Sequence, residues 1–220
     1  MKGPFDLEGP EYGPEARGAP TKLVLLLHGL GADGNDLIGL APHWAKALPT
    51  AVFVSPNAPF PCDMAPYGYQ WFSLQDRDPA AILSGVQAAR PILDAFIDAQ
   101  LARFNLTEAD TALVGFSQGT MMSLYTAPRR AVAVAGVVGF SGALAGAELL
   151  AREIKSRPPV LLVHGDADTM VPVQASKAAK AALEAAGLAV ELHIRPGLPH
   201  GIDEQGLVLG GRFLAKALKA

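Results

Sequence analysis

The residues with the clearest chemical promise are five in a row, Gly115-Phe116-Ser117-Gln118-Gly119. They follow the apolar run Ala112-Leu113-Val114, which suits a strand buried on both faces, and lead into Thr120–Ala127, a short helical stretch stopped by Pro128. A serine on a sharp strand-to-helix turn is pushed clear of the sheet edge. Such a turn crowds the positions two residues either side, and glycine at 115 and 119 relieves that crowding. The backbone N–H of Gln118 then lies at the first helical turn, where it can stabilise a developing oxyanion. The chemistry this implies is acyl transfer through a serine nucleophile.

A serine hydroxyl is a poor nucleophile at neutral pH and needs a base, a role that histidine fills with an ordinary pKa of about 6.5. The base in turn needs a carboxylate to fix its tautomer. On a sheet of this kind the chain order is serine, acid, histidine. Of the five histidines, His28 and His164 precede a glycine at strand ends, where packing or loop hydrogen bonding is the default role. His43 falls on the polar side of a helix and His193 within a strand. His200, in Pro199-His200-Gly201, follows the last strand in a short loop and is preferred as the base over His164. The segment HGDADTMVP offers two acids. Asp166 directly follows a strand and can brace the loop; Asp168 stands further out, can lean towards His200, and is preferred. Asp203 reads as the N-cap of the last helix.

Those residues must be held by a scaffold, and the apolar pattern supplies one. Thr21–Leu27 reads as a strand entering the loop His28-Gly29-Leu30-Gly31. Asn35-Asp36 can cap a helix whose stripe runs from Leu37 to Leu48. Ala51–Val54 is a second strand, and Asn57–Leu74 a long loop rich in proline and aromatics. Pro79–Phe104 reads as a helix that Pro91 should kink or divide. Val132–Phe140, Pro159–Val163 and Val190–Ile194 read as strands. Val173–Ala186, with Gly187 just past it, and Asp203–Lys219 read as helices. Alternating strands and helices predict an α/β fold: a mainly parallel central sheet with helices on both faces and no large cap domain. Residues 1–20, rich in glycine and proline, are expected to form a loosely ordered arm, and 21–220 a single catalytic domain. Ligands bind such sheets at the carboxyl ends of the strands. His28, Ser117, Ser141, Asp168 and His200 all follow strand ends and should share one rim.

Composition narrows the options. In 220 residues the net charge of −3 gives no electrostatic case for nucleic acid. The single cysteine, Cys62, allows no internal disulfide and no cysteine-rich zinc site, and no His/Asp cluster has ligand spacing, so neither metal nor cofactor is expected. The first residues lack an apolar signal core, and one cysteine suits a reducing compartment, so a cytoplasmic location is expected. Ala131–Ala147 is too short and too rich in alanine and glycine for stable membrane insertion. The substrate pocket is expected to draw Met64, Tyr69, Trp71 and Phe72 from the long loop, and Leu144, Met170, Val171 and Leu198 from other rim loops. Trp71 and Phe72 are equally consistent with covering the core.

Taken together, HGLGADGND, GFSQG, HGDADTMVP and PGLPHG, in that order, resemble the phospholipase/carboxylesterase family of α/β-hydrolases, which includes the acyl-protein thioesterases. The resemblance spans the chain from about Lys22. It implies a reduced α/β-hydrolase fold, a triad of Ser117, Asp168 and His200, and oxyanion donors at the amides of Leu30 and Gln118. It further implies a small-molecule ester as partner, and a homodimer as the assembly often found among relatives. The first loop, ADGNDL, is more similar to bacterial carboxylesterases than to eukaryotic thioesterases. A lysophospholipase acting at lipid surfaces would need an exposed apolar or basic face. A non-catalytic binding protein on the same scaffold would be expected to lack one triad member.

Overall fold

The computed structural model describes residues 7–219. Its main sheet has seven strands: β1 (Glu11–Tyr12), β2 (Lys22–Leu27), β3 (Ala51–Val54), β6 (Thr111–Phe116), β7 (Gly136–Phe140), β8 (Val160–Gly165) and β9 (Val190–Arg195). A small hairpin, β4 (Phe60–Pro61) with β5 (Tyr69–Gln70), stands apart in the long loop. The order across the sheet is β1-β3-β2-β6-β7-β8-β9. All neighbours are parallel except β1, which runs antiparallel to β3.

The residue pattern explains why both faces are covered. Along β2, Leu23, Leu25 and Leu27 enter one core, while Val24 and Leu26 enter the other. Each fully buried aliphatic side chain of this kind contributes about 1.5–3 kcal/mol relative to exposure. The first core is closed by α3 (Pro79–Phe104), α4 (Gln118–Thr126), α5 (Ala147–Glu153) and α6 (Gln174–Ala185). The second is closed by α1 (Gly34–Ile38), α2 (Ala41–Ala45) and α7 (Glu204–Ala217). By length and composition α3 would also serve to cross a membrane; here Val86, Leu93, Phe96 and Ile97 of that helix are buried in the first core.

Three expectations need correction. The stripe from Leu37 to Leu48 is broken into α1 and α2, with Gly39 and Pro42 at the break, and the cap of α1 is Asp33. The Asp33 carboxylate accepts the Asn35 N–H at 2.8 Å. Pro91 does not divide α3, which runs unbroken over 26 residues. Residues 1–6 of the expected loose arm lie outside the described residues, but the rest of it is not loose. Glu11 and Tyr12 pair with Val54 and Phe53, and the carbonyls of Glu8 and Pro10 accept the amides of Asn57 and Ser55. The arm therefore supplies the edge strand.

Sheet topology already says where a ligand belongs. From β2 the chain moves to β3 on one side, and from β6 to β7 on the other, so order reverses between β2 and β6. The loops leaving these two adjacent strands diverge to opposite faces and leave a crevice at their carboxyl ends.

Candidate active site

Ser117 sits in that crevice. Its backbone has φ +53° and ψ −113°, a conformation costly for a side-chain-bearing residue, of order 1–3 kcal/mol. The strain is held in place from several directions. The Ser117 N–H donates to the Phe140 carbonyl at 2.9 Å, and the Thr120 hydroxyl reaches the carbonyls of Gly115 and Phe140, both at 2.8 Å. A Cβ on Gly119 would lie 1.8 Å from the Leu27 carbonyl oxygen, and one on Gly115 would lie 2.4 Å from the Gly119 backbone. Only glycine fits at either position.

His200, in the loop after β9, donates from Nδ1 to Asp168 Oδ2 at 2.7 Å. The Phe116 ring lies against this imidazole, with centroids 4.8 Å apart. Asp168 is itself closely held. Its Oδ1 accepts the amides of Met170 at 2.8 Å and Val171 at 2.9 Å. Burial alone would raise its carboxyl pKa. The hydrogen bond from His200 and those two amides outweigh burial and hold it below the usual carboxylate range. Ser117 and His200 line one cavity of about 450 Å3. The other candidates occupy their default roles. Asp166 braces the loop before His200 by accepting the Gly197 amide at 2.6 Å. Asp203 caps α7 through the Gly206 amide and bonds Arg195. His28 is buried, with Nδ1 donating to the Gly29 carbonyl and Nε2 accepting the Ala58 amide. Burial pushes its pKa below the ordinary value, so the ring is neutral.

The amides of Leu30 and Gln118 have no acceptor among the described residues, which leaves both free to face an incoming oxygen. What fixes them relative to each other is not legible in the sequence. The side chain of buried Gln118 accepts the Trp71 N–H and donates to the Phe72 carbonyl, both at 2.8 Å. The Trp71 indole N–H in turn donates to the His28 carbonyl at 3.1 Å. Tyr69 exchanges backbone hydrogen bonds with Gly31 and Ala32. The long loop thus ties the β2 loop to the start of α4.

That role corrects most of the expected pocket. Trp71 and Phe72 are buried in the core, and Tyr69 is engaged with the β2 loop. Met64 lies exposed on the β4–β5 turn. Leu144 packs against the first core, and the Leu198 carbonyl is pinned over Gly165 by the Ala167 amide. None of these six lines the cavity, whereas Met170, Val171 and Leu30 do. The remaining apolar walls are Ala32, Leu74, Ile82, Phe116, Met121 and Pro172, and Asp36 and Arg77 also line it. Met121 carries a sequence signal: one helical turn beyond Ser117, it must look the same way.

Residues 14–218 match the phospholipase/carboxylesterase family. The chain belongs to that family. Within it, this hydrolase is 30% identical to Esterase YpfH of Escherichia coli (strain K12), over 84% of this chain and 78% of that one. It is 27% identical to Acyl-protein thioesterase 1 homolog 1 of Dictyostelium discoideum, over 89% of this chain and 90% of that one. The fold is similar to the crystal structure of esterase PE8, with a TM-score of 0.92 and 45% identity, over 96% of this chain and 99% of that one. An α/β-hydrolase of the carboxylesterase and thioesterase type is therefore the fold and class of this protein.

Proposed function

We propose that this hydrolase is a serine carboxylesterase acting on short- to medium-chain carboxylic esters through an acyl-enzyme on Ser117. The observation that carries the reading is convergence. Ser117 after β6 and His200 after β9 line one cavity, and Asp168 after β8 is bonded to His200 from behind.

His200 takes the Ser117 proton as the hydroxyl oxygen attacks the ester carbonyl carbon. The tetrahedral oxyanion lies between the amides of Leu30 and Gln118. His200 then gives that proton to the departing alcohol as the C–O bond breaks. A water, deprotonated by the same imidazole, attacks the acyl-serine; the C–Oγ bond breaks, the imidazolium returns its proton to Ser117 Oγ, and the acid is released. The cavity volume and its apolar walls suit a modest acyl chain.

Similarity to the Dictyostelium thioesterase supports a second reading, hydrolysis of acyl thioesters by the same intermediate. A panel of nitrophenyl esters and acyl thioesters of increasing chain length separates the two. Ser117→Ala should abolish turnover and block covalent labelling by an organophosphate, with the thermal melt preserved. Ester hydrolysis at the wild-type rate in Ser117→Ala would refute the proposal.

A further inference from the structure

His164, at the end of β8, is fully buried, and both its ring nitrogens are engaged. Nε2 lies 2.8 Å from the Val171 carbonyl oxygen and 3.1 Å from Asp168 Oδ2. A carbonyl can only accept, so Nε2 carries a hydrogen and shares it between the two oxygens. Nδ1 lies 2.6 Å from Ser176 Oγ on α6, and Ser176 Oγ lies 3.2 Å from the Gly142 carbonyl. The ring is thus held from one further element, α6, for the single hydroxyl hydrogen of Ser176 serves either Nδ1 or the Gly142 carbonyl.

Two imidazoles consequently meet on one carboxylate oxygen. Asp168 Oδ2 receives His200 Nδ1 and His164 Nε2, while Oδ1 receives two loop amides. A carboxylate held at Oδ1 alone can still swing Oδ2 out of line; a second donor on Oδ2 removes that freedom. The same Nε2–H also anchors Val171, which with its neighbours Met170 and Pro172 walls the cavity.

We infer that His164 is a positioning residue for the hydrolysis reaction: its Nε2–H fixes Asp168 Oδ2 against His200 and holds the cavity-wall loop. The inference rests on the serine-esterase reading of Ser117. Sharing Oδ2 between two donors also moderates how strongly the carboxylate grips the imidazole of His200. Among the described residues, the titratable side chains bonded to Asp168 are His164 and His200. Their other neighbours, Ser176, the Val171 carbonyl and the Phe116 ring, carry no charge.

The test compares His164→Leu, His164→Gln and Ser176→Ala in the full chain, with nitrophenyl butyrate as substrate and Ser117→Ala as the reference. His164→Leu should lower kcat about tenfold, as expected for loss of one hydrogen bond to a charged group. Its acid limb in kcat/KM should move to higher pH, because an undivided Oδ2 grips the protonated base more tightly. His164→Gln returns an N–H donor to the site and should restore both measures towards wild type. Ser176→Ala, which frees the ring, should move the limb the same way by less. An unmoved acid limb in His164→Leu overturns the inference even where kcat falls, since a packing role lowers rate without shifting the profile. Should the leucine variant not fold, an unmoved limb in Ser176→Ala overturns it equally. Activity surviving in Ser117→Ala would instead overturn the esterase reading, a separate result.

Discussion

Asp168→Asn removes a charge while keeping the shape, and the hydrogen bonds around this side chain dictate its effect on turnover. Four N–H groups point at the carboxylate: two backbone amides at Oδ1 and two imidazoles at Oδ2. An asparagine offers one acceptor oxygen and one NH2 group, which can only donate. With its carbonyl towards the two amides, its NH2 faces Nδ1 of His200. That nitrogen must then accept, so the ring hydrogen moves to Nε2, the nitrogen that should take the Ser117 proton. The wrong tautomer in this position costs about 10⁴ in kcat, or ~5.5 kcal/mol. The opposite orientation sets an NH2 against two buried amides, which costs stability instead. Steady-state hydrolysis of nitrophenyl butyrate, with a thermal melt alongside, reads both effects. Asp166→Asn is the internal comparison, for it makes the same charge change two residues away. Its carbonyl can still accept the Gly197 amide, so turnover should stay within about threefold of wild type. Asp168→Asn with kcat within tenfold of wild type, or Asp166→Asn equally damaged, would refute the assignment of the acid.

The turn, the cavity and the buried titratable groups each predict a further outcome. Gly119→Ala drives a methyl into the Leu27 carbonyl and should destabilise the protein by about 3 kcal/mol, lowering Tm by roughly 10 °C; an unchanged melt would contradict the turn geometry. Ile82→Trp narrows the cavity and should raise KM for an octanoate ester about tenfold, with an acetate ester little affected; equal effects on both would place the acyl chain elsewhere. Stability should fall in acid in two stages, read as Tm against pH. The folded pKa of His28 lies below its unfolded value of about 6.5, so its contribution is present above that pH and declines below it. Asp110, paired with Lys22, and Asp168 have depressed carboxyls, so theirs is present above about pH 4 and is lost as pH falls further. A Tm constant from pH 7 to about pH 2 would contradict both stages.

The scaffold is largely readable in the sequence because buried parallel strands need continuous apolar runs, and Ala51–Val54 and Val160–Gly165 have few other ways to satisfy that pattern. The serine turn is readable for a steric reason, since Gly115 and Gly119 answer a backbone collision that no other residue tolerates. The cavity is not. An aromatic that lines a pocket and one that seals a core have the same composition, and only the partner of the Trp71 indole N–H, the His28 carbonyl, tells them apart. The edge strand leaves no signal because two residues, Glu11 and Tyr12, are too few to show a period. His164 reads as a packing residue in the sequence because its partners, Ser176 and Asp168, become neighbours only once α6 folds back on β8.

The two amides suited to an oxyanion belong to segments that depart on opposite sides of the sheet. A rigid gap between them therefore cannot come from either layer alone. It depends on a crossbar, in which the Gln118 side chain grips the chain at Trp71 and the indole grips the far loop at His28. Evolution of substrate range in such a molecule is free to rewrite the cavity walls at Leu74 or Ile82. The tryptophan–glutamine strut has no such latitude, since altering it would shift both amides at once, whatever the substrate.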